Sequence, residues 1–193
     1  MSNFSAEDKK KACFLDRDGV VNVEVSYLHE PEKTVLESGI VEALKAIHAH
    51  GFLAVVVTNQ AGVARGKYPE KDIFAVHDKL QELLAEHGEK IDAFYYCPHH
   101  PEHSGECECR KPNPGMLLKA ATELNIDVKS SLMIGDRMSD VNAGRNAGCK
   151  TSYLVRTGYG KEVLAKEPEP GCPVADNAYT AFMDFIKSAQ GEK

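Results

Sequence analysis

Short apolar runs alternate with longer amphipathic segments along the 193 residues, and this alternation is what most constrains the fold. Five runs rich in β-branched or aromatic residues are typical of buried strands, and they occupy 12–15, 52–57, 93–96, 132–134 and 153–155. Apolar residues at helical spacing predict five helices, over 40–47, 73–84, 117–124, 141–147 and 179–188. Strands that alternate with helices form a parallel sheet covered on both faces, so we expect a three-layer, doubly wound α/β fold.

The chain is expected to form one domain over 1–193, with a core from about residue 10 to residue 190. We interpret the Gly- and Pro-rich stretch 158–173 as a surface connection. A net charge of −6 without a basic stripe disfavours nucleic acid as a partner. The longest apolar run, 52–57, is too short to span a membrane, and residues 1–11 lack the apolar stretch of a secretory signal. We therefore expect a cytoplasmic protein. We also expect a monomer, although these features do not determine the oligomeric state.

Two carboxylates follow the first predicted strand, in the sequence Asp16-Arg17-Asp18-Gly19. Residues two apart on an extended chain share a side, so Asp16 and Asp18 can face one site while Arg17 faces away. Such a pair repels unless a cation or a shared proton compensates, and carboxylates are ligands suited to Mg²⁺. A polar turn is the simpler alternative, because Asp-Gly is common in turns.

Polar residues also follow the second and fourth strands, where a parallel sheet places its ligands. Thr58-Asn59-Gln60 leaves the second strand, and Gly135-Asp136-Arg137 leaves the fourth, with Asp140 one helical turn beyond Asp136. Arg110 and Lys111 precede a helix that Pro114 opens. Taken singly, these residues could be a strand exit, a helix cap and a solvated pair of charges.

Three of the six cysteines lie close together, in the pattern Cys97-x-His99-x₇-Cys107-x-Cys109. Three thiolates and an imidazole suit a closed, tetrahedral, structural Zn²⁺ site, which would order the loop 97–109 and the cations that follow it. The alternative is reduced thiols, our interpretation for the three scattered cysteines. The pattern alone leaves open which nearby histidine would bind.

Taken in order, Asp-x-Asp, Thr, Lys and Gly-Asp at strand ends or helix starts resemble the four motifs of the haloacid dehalogenase-like (HAD-like) phosphohydrolases. The resemblance implies a HAD-like, Rossmann-type fold. It implies that Asp16 is the phosphorylated nucleophile, and that Asp18 protonates the leaving oxygen and then activates water. Thr58 and Lys111 would bind the transferring phosphoryl group, and Asp136 would complete a Mg²⁺ site.

Within that superfamily the chain resembles the D-glycero-D-manno-heptose 1,7-bisphosphate 7-phosphatases from about residue 12 to residue 160. The matching segments are Phe14-Leu15-Asp16-Arg17-Asp18-Gly19 with Asn22, 57–66, 96–101 and 107–116. The family has no separate cap domain, and its members remove the C7 phosphate to give heptose 1-phosphate for nucleotide-activated heptose synthesis.

The heptose-phosphatase resemblance also implies ligands and substrate contacts. Mg²⁺ would be held by Asp16, the backbone carbonyl of Asp18, and Asp136. Structural Zn²⁺ would be held by Cys97, His99, Cys107 and Cys109. The positions that match substrate contacts are Glu24, Val25, Ser26, Tyr27, Thr58, Asn59, Gln60, Ala61, Arg110, Lys111 and Arg137.

Three alternatives accompany this interpretation. The seven residues between His99 and Cys107 are nearer to the histidinol-phosphate phosphatases, which makes histidinol phosphate the second candidate substrate. A non-catalytic zinc-loop interaction protein and a nucleic-acid 3′-phosphatase are disfavoured by the intact acidic motifs and by the charge. Arg110 and Arg137 add two cations beyond Lys111, which suits a small sugar phosphate with a second phosphate, although a Lys is expected at position 137.

Overall fold

The computed structural model describes residues 9–191 and has one six-stranded sheet in the order β3-β2-β1-β4-β5-β6. Every neighbouring pair of strands is parallel. The strands are β1 (Lys11–Leu15), β2 (Phe52–Asn59), β3 (Ala93–Cys97), β4 (Leu132–Gly135), β5 (Thr151–Val155) and β6 (Val174–Ala175). Residues 1–8, 192 and 193 lie outside the described residues. The expectation of no secretory signal rests mainly on residues 1–8.

Seven α-helices connect and follow the strands within the described residues: α1 (Ile40–Ala49), α2 (Lys71–Ala85), α3 (Pro101–Ser104), α4 (Gly115–Glu123), α5 (Met138–Ala147), α6 (Gly160–Lys166) and α7 (Ala178–Gly191). The five predicted strands and five predicted helices are all present. Helices α3 and α6 and strand β6 were not predicted, because each is short and buries too few apolar residues to give a periodic pattern. The stretch 158–173 is thus not only a connection, since it contains α6.

The core lies on both faces of the sheet, which explains why the strands are apolar throughout. On one face Cys13 and Leu15 of β1 pack in a cluster with residues of α1, α2 and α7. On the other face Ala12 and Phe14 pack with residues of α4 and α5. Alternate residues of one strand therefore serve two helical layers, and the predicted three-layer fold is confirmed.

The strand order reverses between β1 and β4, which pair in register from Cys13↔Leu132 to Leu15↔Ile134. In such sheets the crevice beyond this switch point is where ligands bind. The loops after β1, β2, β4 and β5 all open onto it. No helix among residues 9–191 is long and apolar enough to cross a membrane.

Candidate active site

A cleft of about 370 Å³ lies at the carboxyl edge of the sheet. Most residues predicted from the sequence line it: Asp16, Asp18, Glu24, Ser26, Tyr27, Thr58, Asn59, Gln60, Ala61, Arg110, Lys111 and Arg137. Asp136 is fully buried beside it. Val25 does not line the cleft; it is exposed and borders two neighbouring depressions.

Lys111 joins two carboxylates at the floor of the cleft. Its Nζ lies 2.8 Å from Oδ1 of Asp16 and 2.6 Å from Oδ1 of Asp140, and it donates to the carbonyl of Val57 at 2.8 Å. Burial opposes the charge of Lys111, but the two carboxylates outweigh it and raise the pKa of the amine. Burial and the neighbouring Asp140 raise the pKa of Asp16 to about 7, against the lowering effect of Lys111. The floor is therefore a largely buried ion triad, of which Asp16 is the member most exposed to the cleft.

The Asp18 carboxylate is held by three side chains. Arg17 donates to it through Nε and Nη2 at 3.0–3.1 Å, Asn22 at 2.9 Å and Gln60 at 2.9 Å. Burial acts to raise the pKa of Asp18, but the guanidinium and these hydrogen bonds outweigh it and hold the pKa below its usual value. Arg17 does not line the cleft, in agreement with the expectation that it faces away, but its long side chain folds back so that the buried guanidinium reaches the Asp18 carboxylate.

Gln60 connects Asp18 to the wall of the cleft. Its Nε2 also donates to the hydroxyl of Thr58 at 3.0 Å, and its Oε1 accepts from the hydroxyl of Tyr68 at 2.7 Å. Both ends of this buried amide are therefore satisfied within the protein. The geometry assigns Gln60 to orienting Asp18 rather than to free contact with a ligand.

A divalent cation fits beside Asp16 and Asp136. Carboxylate oxygens of Asp16, Asp136 and Asp140 lie within 4.8 Å of one another, and Oδ1 of Asp136 is buried without a hydrogen-bond partner. Burial and repulsion from Asp16 and Asp140 raise the pKa of Asp136 to about 8, so a cation bound between these carboxylates would stabilise their charged forms. A metal contact from Asp18 would come from its backbone carbonyl, because its carboxylate is already engaged.

Two glycines allow the chain to close around Asp136. Gly19 and Gly158 both have positive φ, and a Cβ on either would stand within 2.4 Å of Oδ2 of Asp136. The same oxygen accepts the backbone N–H of Tyr159 at 2.8 Å. The carboxylate is thus fixed by backbone through Oδ2, while its buried Oδ1 has no hydrogen-bond partner in the described structure.

The four predicted zinc ligands converge in space. The sulfurs of Cys97, Cys107 and Cys109 lie 2.9–3.6 Å apart, and Nδ1 of His99 lies 3.3 Å from Cys109 and 3.7 Å from Cys97. Tetrahedral Zn²⁺ with bonds of about 2.3 Å to sulfur needs edges of about 3.8 Å, and the observed separations are somewhat shorter than this value. Three sulfurs and one imidazole nitrogen that converge in this way are a donor set suited to Zn²⁺. His99 is the histidine of this cluster, and His100 turns away toward the cleft.

The loop 97–109, called the zinc loop after its predicted ligands, is attached directly to the cleft. Arg110 donates through Nη1 to the carbonyl of His99 at 3.2 Å. The Asn59 side chain accepts the backbone N–H of Lys111 at 3.0 Å and donates to its carbonyl at 3.1 Å. The end of β2 therefore fixes Lys111 through its backbone, while the cysteine cluster fixes the residue before it.

Several residues that line the cleft were not among the sequence predictions. Arg65, Tyr68, His100, Ser139, Asp140 and Tyr159 line it as well. Asp140 was noted only for its spacing from Asp136, and it also caps α5 by accepting the N–H of Arg137 at 2.9 Å. Polar residues follow β5 as they follow β1, β2 and β4, in the sequence Arg156-Thr157-Gly158-Tyr159. This pattern could have indicated Tyr159. Arg65 and His100 lie within the matching segments 57–66 and 96–101, but in loops without periodicity, so their residue types alone did not indicate a role in the cleft.

This sheet, with Asp-x-Asp after β1 and a lysine and a late aspartate converging on it, defines a HAD-like phosphohydrolase. The HAD-hydrolase-like family model matches residues 108–181. A D-glycero-beta-D-manno-heptose-1,7-bisphosphate 7-phosphatase of Pasteurella multocida is 47% identical over 188 residues, or 95% of this chain and 99% of the relative. The chain belongs to the heptose 1,7-bisphosphate 7-phosphatase family, as the sequence resemblance predicted.

Two further relatives extend the comparison. A D-glycero-alpha-D-manno-heptose-1,7-bisphosphate 7-phosphatase of Photorhabdus laumondii is 41% identical over 90% of this chain and 95% of its own. The crystal structure of the D,D-heptose 1,7-bisphosphate phosphatase from B. bronchiseptica, complexed with magnesium and phosphate, superposes with a TM-score of 0.82. That protein is 34% identical and covers 92% of this chain and 99% of its own. Relatives named for both anomers therefore resemble this chain.

Proposed function

We propose that this protein hydrolyses the C7 phosphate of D-glycero-D-manno-heptose 1,7-bisphosphate and releases heptose 1-phosphate. The observation that carries the proposal is the triad of Asp16, Lys111 and Asp140 at the floor of the cleft, with Asp18 held beside it. The relatives favour the heptose substrate over histidinol phosphate and over a non-catalytic role.

In the proposed reaction Asp16 is the nucleophile. Its carboxylate attacks the phosphorus, an Asp16–phosphorus bond forms, and the bond from phosphorus to the C7 oxygen breaks. Asp18 enters the reaction protonated and gives this proton to the leaving oxygen. The resulting carboxylate, which Arg17, Asn22 and Gln60 stabilise, then takes a proton from the water that attacks the aspartyl phosphate, and the protonated Asp18 is restored. The products are inorganic phosphate and the regenerated Asp16 carboxylate. Gln60, Asn22 and Arg17 keep Asp18 oriented through both transfers.

Lys111 and Thr58 would hold the phosphoryl group over Asp16. The amine of Lys111 is already 2.8 Å from Asp16, so a phosphoryl oxygen above this carboxylate can share the same donor. The Thr58 hydroxyl receives a hydrogen bond from Gln60 at 3.0 Å, which leaves its own proton to donate. A fixed ammonium and a fixed hydroxyl need no reorganisation as negative charge develops.

Asp16, Asp136 and the carbonyl of Asp18 would hold Mg²⁺. When bound, the ion offsets the repulsion between a dianionic phosphoryl group and the carboxylates that approach it. The cysteine cluster would hold one structural Zn²⁺, which fixes the backbone that carries Arg110 and Lys111.

Arg110 and Arg137 would bind the C1 phosphate, which does not react. Arg137 lies over the ring of Tyr159, with its guanidinium carbon 3.7 Å from the ring centroid, and a contact of this kind leaves guanidinium donors for an anion. Binding energy from this second phosphate would orient the first. We further propose that the chain is a single domain that acts as a monomer in the cytoplasm, where phosphorylated sugar intermediates are made and consumed.

The test compares purified wild type with Asp16→Asn and with the matched surface variant Asp78→Asn, on heptose 1,7-bisphosphate and on histidinol phosphate. Phosphorus NMR identifies which phosphate leaves. We expect loss of the C7 phosphate with the wild type and with Asp78→Asn, and no turnover with Asp16→Asn, because an amide cannot form the acyl phosphate. Equal efficiency on histidinol phosphate would overturn the substrate assignment, and substantial turnover by Asp16→Asn would overturn the covalent route. Full activity after EDTA treatment would overturn the role of Mg²⁺.

A further inference from the structure

Arg65 joins three separate segments at the rim of the cleft. Its Nη1 donates to the hydroxyl of Tyr27 at 2.8 Å, and its Nη2 lies 2.8 Å from Nε2 of His100. Tyr27 belongs to the loop after β1, Arg65 to the loop after β2 and His100 to the zinc loop. All three residues line the cleft. A guanidinium cannot lose its proton in proteins, so Nε2 of His100 is the acceptor of this contact.

The charge of Arg65 is not neutralised by any carboxylate among residues 9–191. Both of its partners are neutral groups that orient the guanidinium. The buried cations of the site differ, since Arg17 pairs with Asp18 and Lys111 pairs with two aspartates. An exposed, oriented and unneutralised guanidinium that borders a cleft is suited to bind an anion.

Arg110 and Arg137 are likewise held in place by neutral groups. Arg110 is held by a carbonyl and Arg137 by an aromatic ring, and neither forms an ion pair with a carboxylate in the described part of the chain. The floor of the cleft, in contrast, holds the proposed nucleophile Asp16 with the Lys111 amine beside it. A ligand with two phosphates would therefore place the reacting one over the floor, beside Lys111, and the other against the arginines of the rim.

Two residues with left-handed backbone support a binding role for this rim. Ser26 has φ of 52° and Tyr27 has φ of 56°, a region that residues other than glycine and asparagine rarely adopt. Such conformations persist where the surrounding contacts hold them, and they occur most often at binding sites. The hydrogen bond from Arg65 to the Tyr27 hydroxyl is one contact that holds this turn against the cleft.

We propose that Arg65 binds the non-reacting phosphate of the substrate and, through Tyr27 and His100, joins the loop after β1 and the zinc loop into one wall of that site. The proposal rests on the proposed function, since it requires a substrate with two phosphates. It makes Arg65 a specificity-determining residue that acts in binding and not in the chemical step. The expected signature is a change in KM that depends on the second phosphate.

The experiment measures kcat and KM for heptose 1,7-bisphosphate and for heptose 7-phosphate, which lacks the C1 phosphate. Arg65→Gln removes the charge, Arg65→Lys keeps the charge without the fork, and Tyr27→Phe removes one anchor of the guanidinium. Hydrogen bonds to charged groups predict that Arg65→Gln raises KM for the bisphosphate about tenfold or more, with kcat within about twofold. KM for the monophosphate should change far less. We expect Arg65→Lys and Tyr27→Phe to fall between Arg65→Gln and the wild type.

Two results would overturn this proposal and leave the proposed function standing. If Arg65→Gln lowers kcat/KM equally for both substrates, Arg65 is a structural bridge between loops. If none of the variants changes KM for the bisphosphate, Arg65 does not contact the second phosphate. If the wild type hydrolyses neither heptose phosphate, the proposed function itself fails and this proposal with it.

Discussion

Replacing His77 with phenylalanine should make the folded protein less sensitive to acid. His77 lies on α2 with 6% of its surface exposed, and its ring stacks on Phe94 with centroids 4.2 Å apart. Its Nε2 has no hydrogen-bond partner in the described structure. Burial, reinforced by the charge of Arg17, lowers the pKa of His77 from 6.5 to about 3. At about pH 5 the folded state therefore holds this imidazole neutral, whereas in the unfolded chain the imidazole is protonated.

The magnitude follows from proton linkage. The folded pKa is below the unfolded one, so between about pH 6.5 and pH 3 the unfolded state binds a proton that the folded state does not, and stability falls as the pH falls. At about pH 5 an unfolded pKa of 6.5 and a folded pKa of about 3 give a loss of about 2 kcal/mol from this one residue. At about pH 7.5 the loss is close to zero, since both states are neutral there.

The assay is urea unfolding of wild type and His77→Phe at about pH 7.5 and about pH 5, with free energies from linear extrapolation. Phenylalanine keeps an aromatic ring against Phe94 and cannot be protonated. The wild type should lose about 2 kcal/mol more than the variant between the two pH values, since other titrating groups are common to both chains. Equal losses in the two chains would show that His77 titrates normally and would refute the argument from burial.

Three further predictions test the zinc loop, the cleft wall and the core. Cys107→Ser should lower bound zinc from about one ion per chain to near zero and reduce kcat/KM more than it lowers Tm; elemental analysis that finds no zinc in the wild type contradicts this. Gly62→Ala would place a Cβ only 2.1 Å from the ring of Tyr68, which anchors Gln60. We expect kcat/KM to fall about tenfold or more, and unchanged kinetics would show that the wall is not rigid. Phe182→Ala should destabilise the protein by about 3–5 kcal/mol in urea unfolding, because its ring is fully buried; a loss below about 1 kcal/mol contradicts this.

The sequence predicted the sheet well because its central strands are buried on both faces. Phe52–Asn59 and Leu132–Gly135 carry continuous apolar runs, which distinguish such strands from helices and loops. Val174–Ala175 and Gly160–Lys166 carry no such apolar run, because few of their side chains are buried. Periodicity in the sequence does not indicate an element that is stabilised by its neighbours and has no apolar pattern of its own.

The positions of the candidate catalytic residues were predictable for a topological reason, since parallel strands bring their carboxyl ends together whatever the loops do. Asp16 and Asp136 follow two neighbouring strands, β1 and β4. The contacts of long side chains were not predictable in this way. Arg17 folding back onto Asp18 and Arg65 reaching His100 depend on loop conformations that no local pattern encodes.

The pairing of β1 with β4 also has a consequence for how the chain reaches its native state. Cys13 lies beside Leu132, and the Thr157 hydroxyl donates to the carbonyl of Gly19 across 138 residues of sequence. Contacts of such separation carry a large loop-closure entropy and form slowly. A growing polypeptide that ends before β4 does not yet contain Asp136, so it cannot complete the carboxylate cluster with Asp16. The candidate active site would therefore be assembled late, after most of the chain has been synthesised.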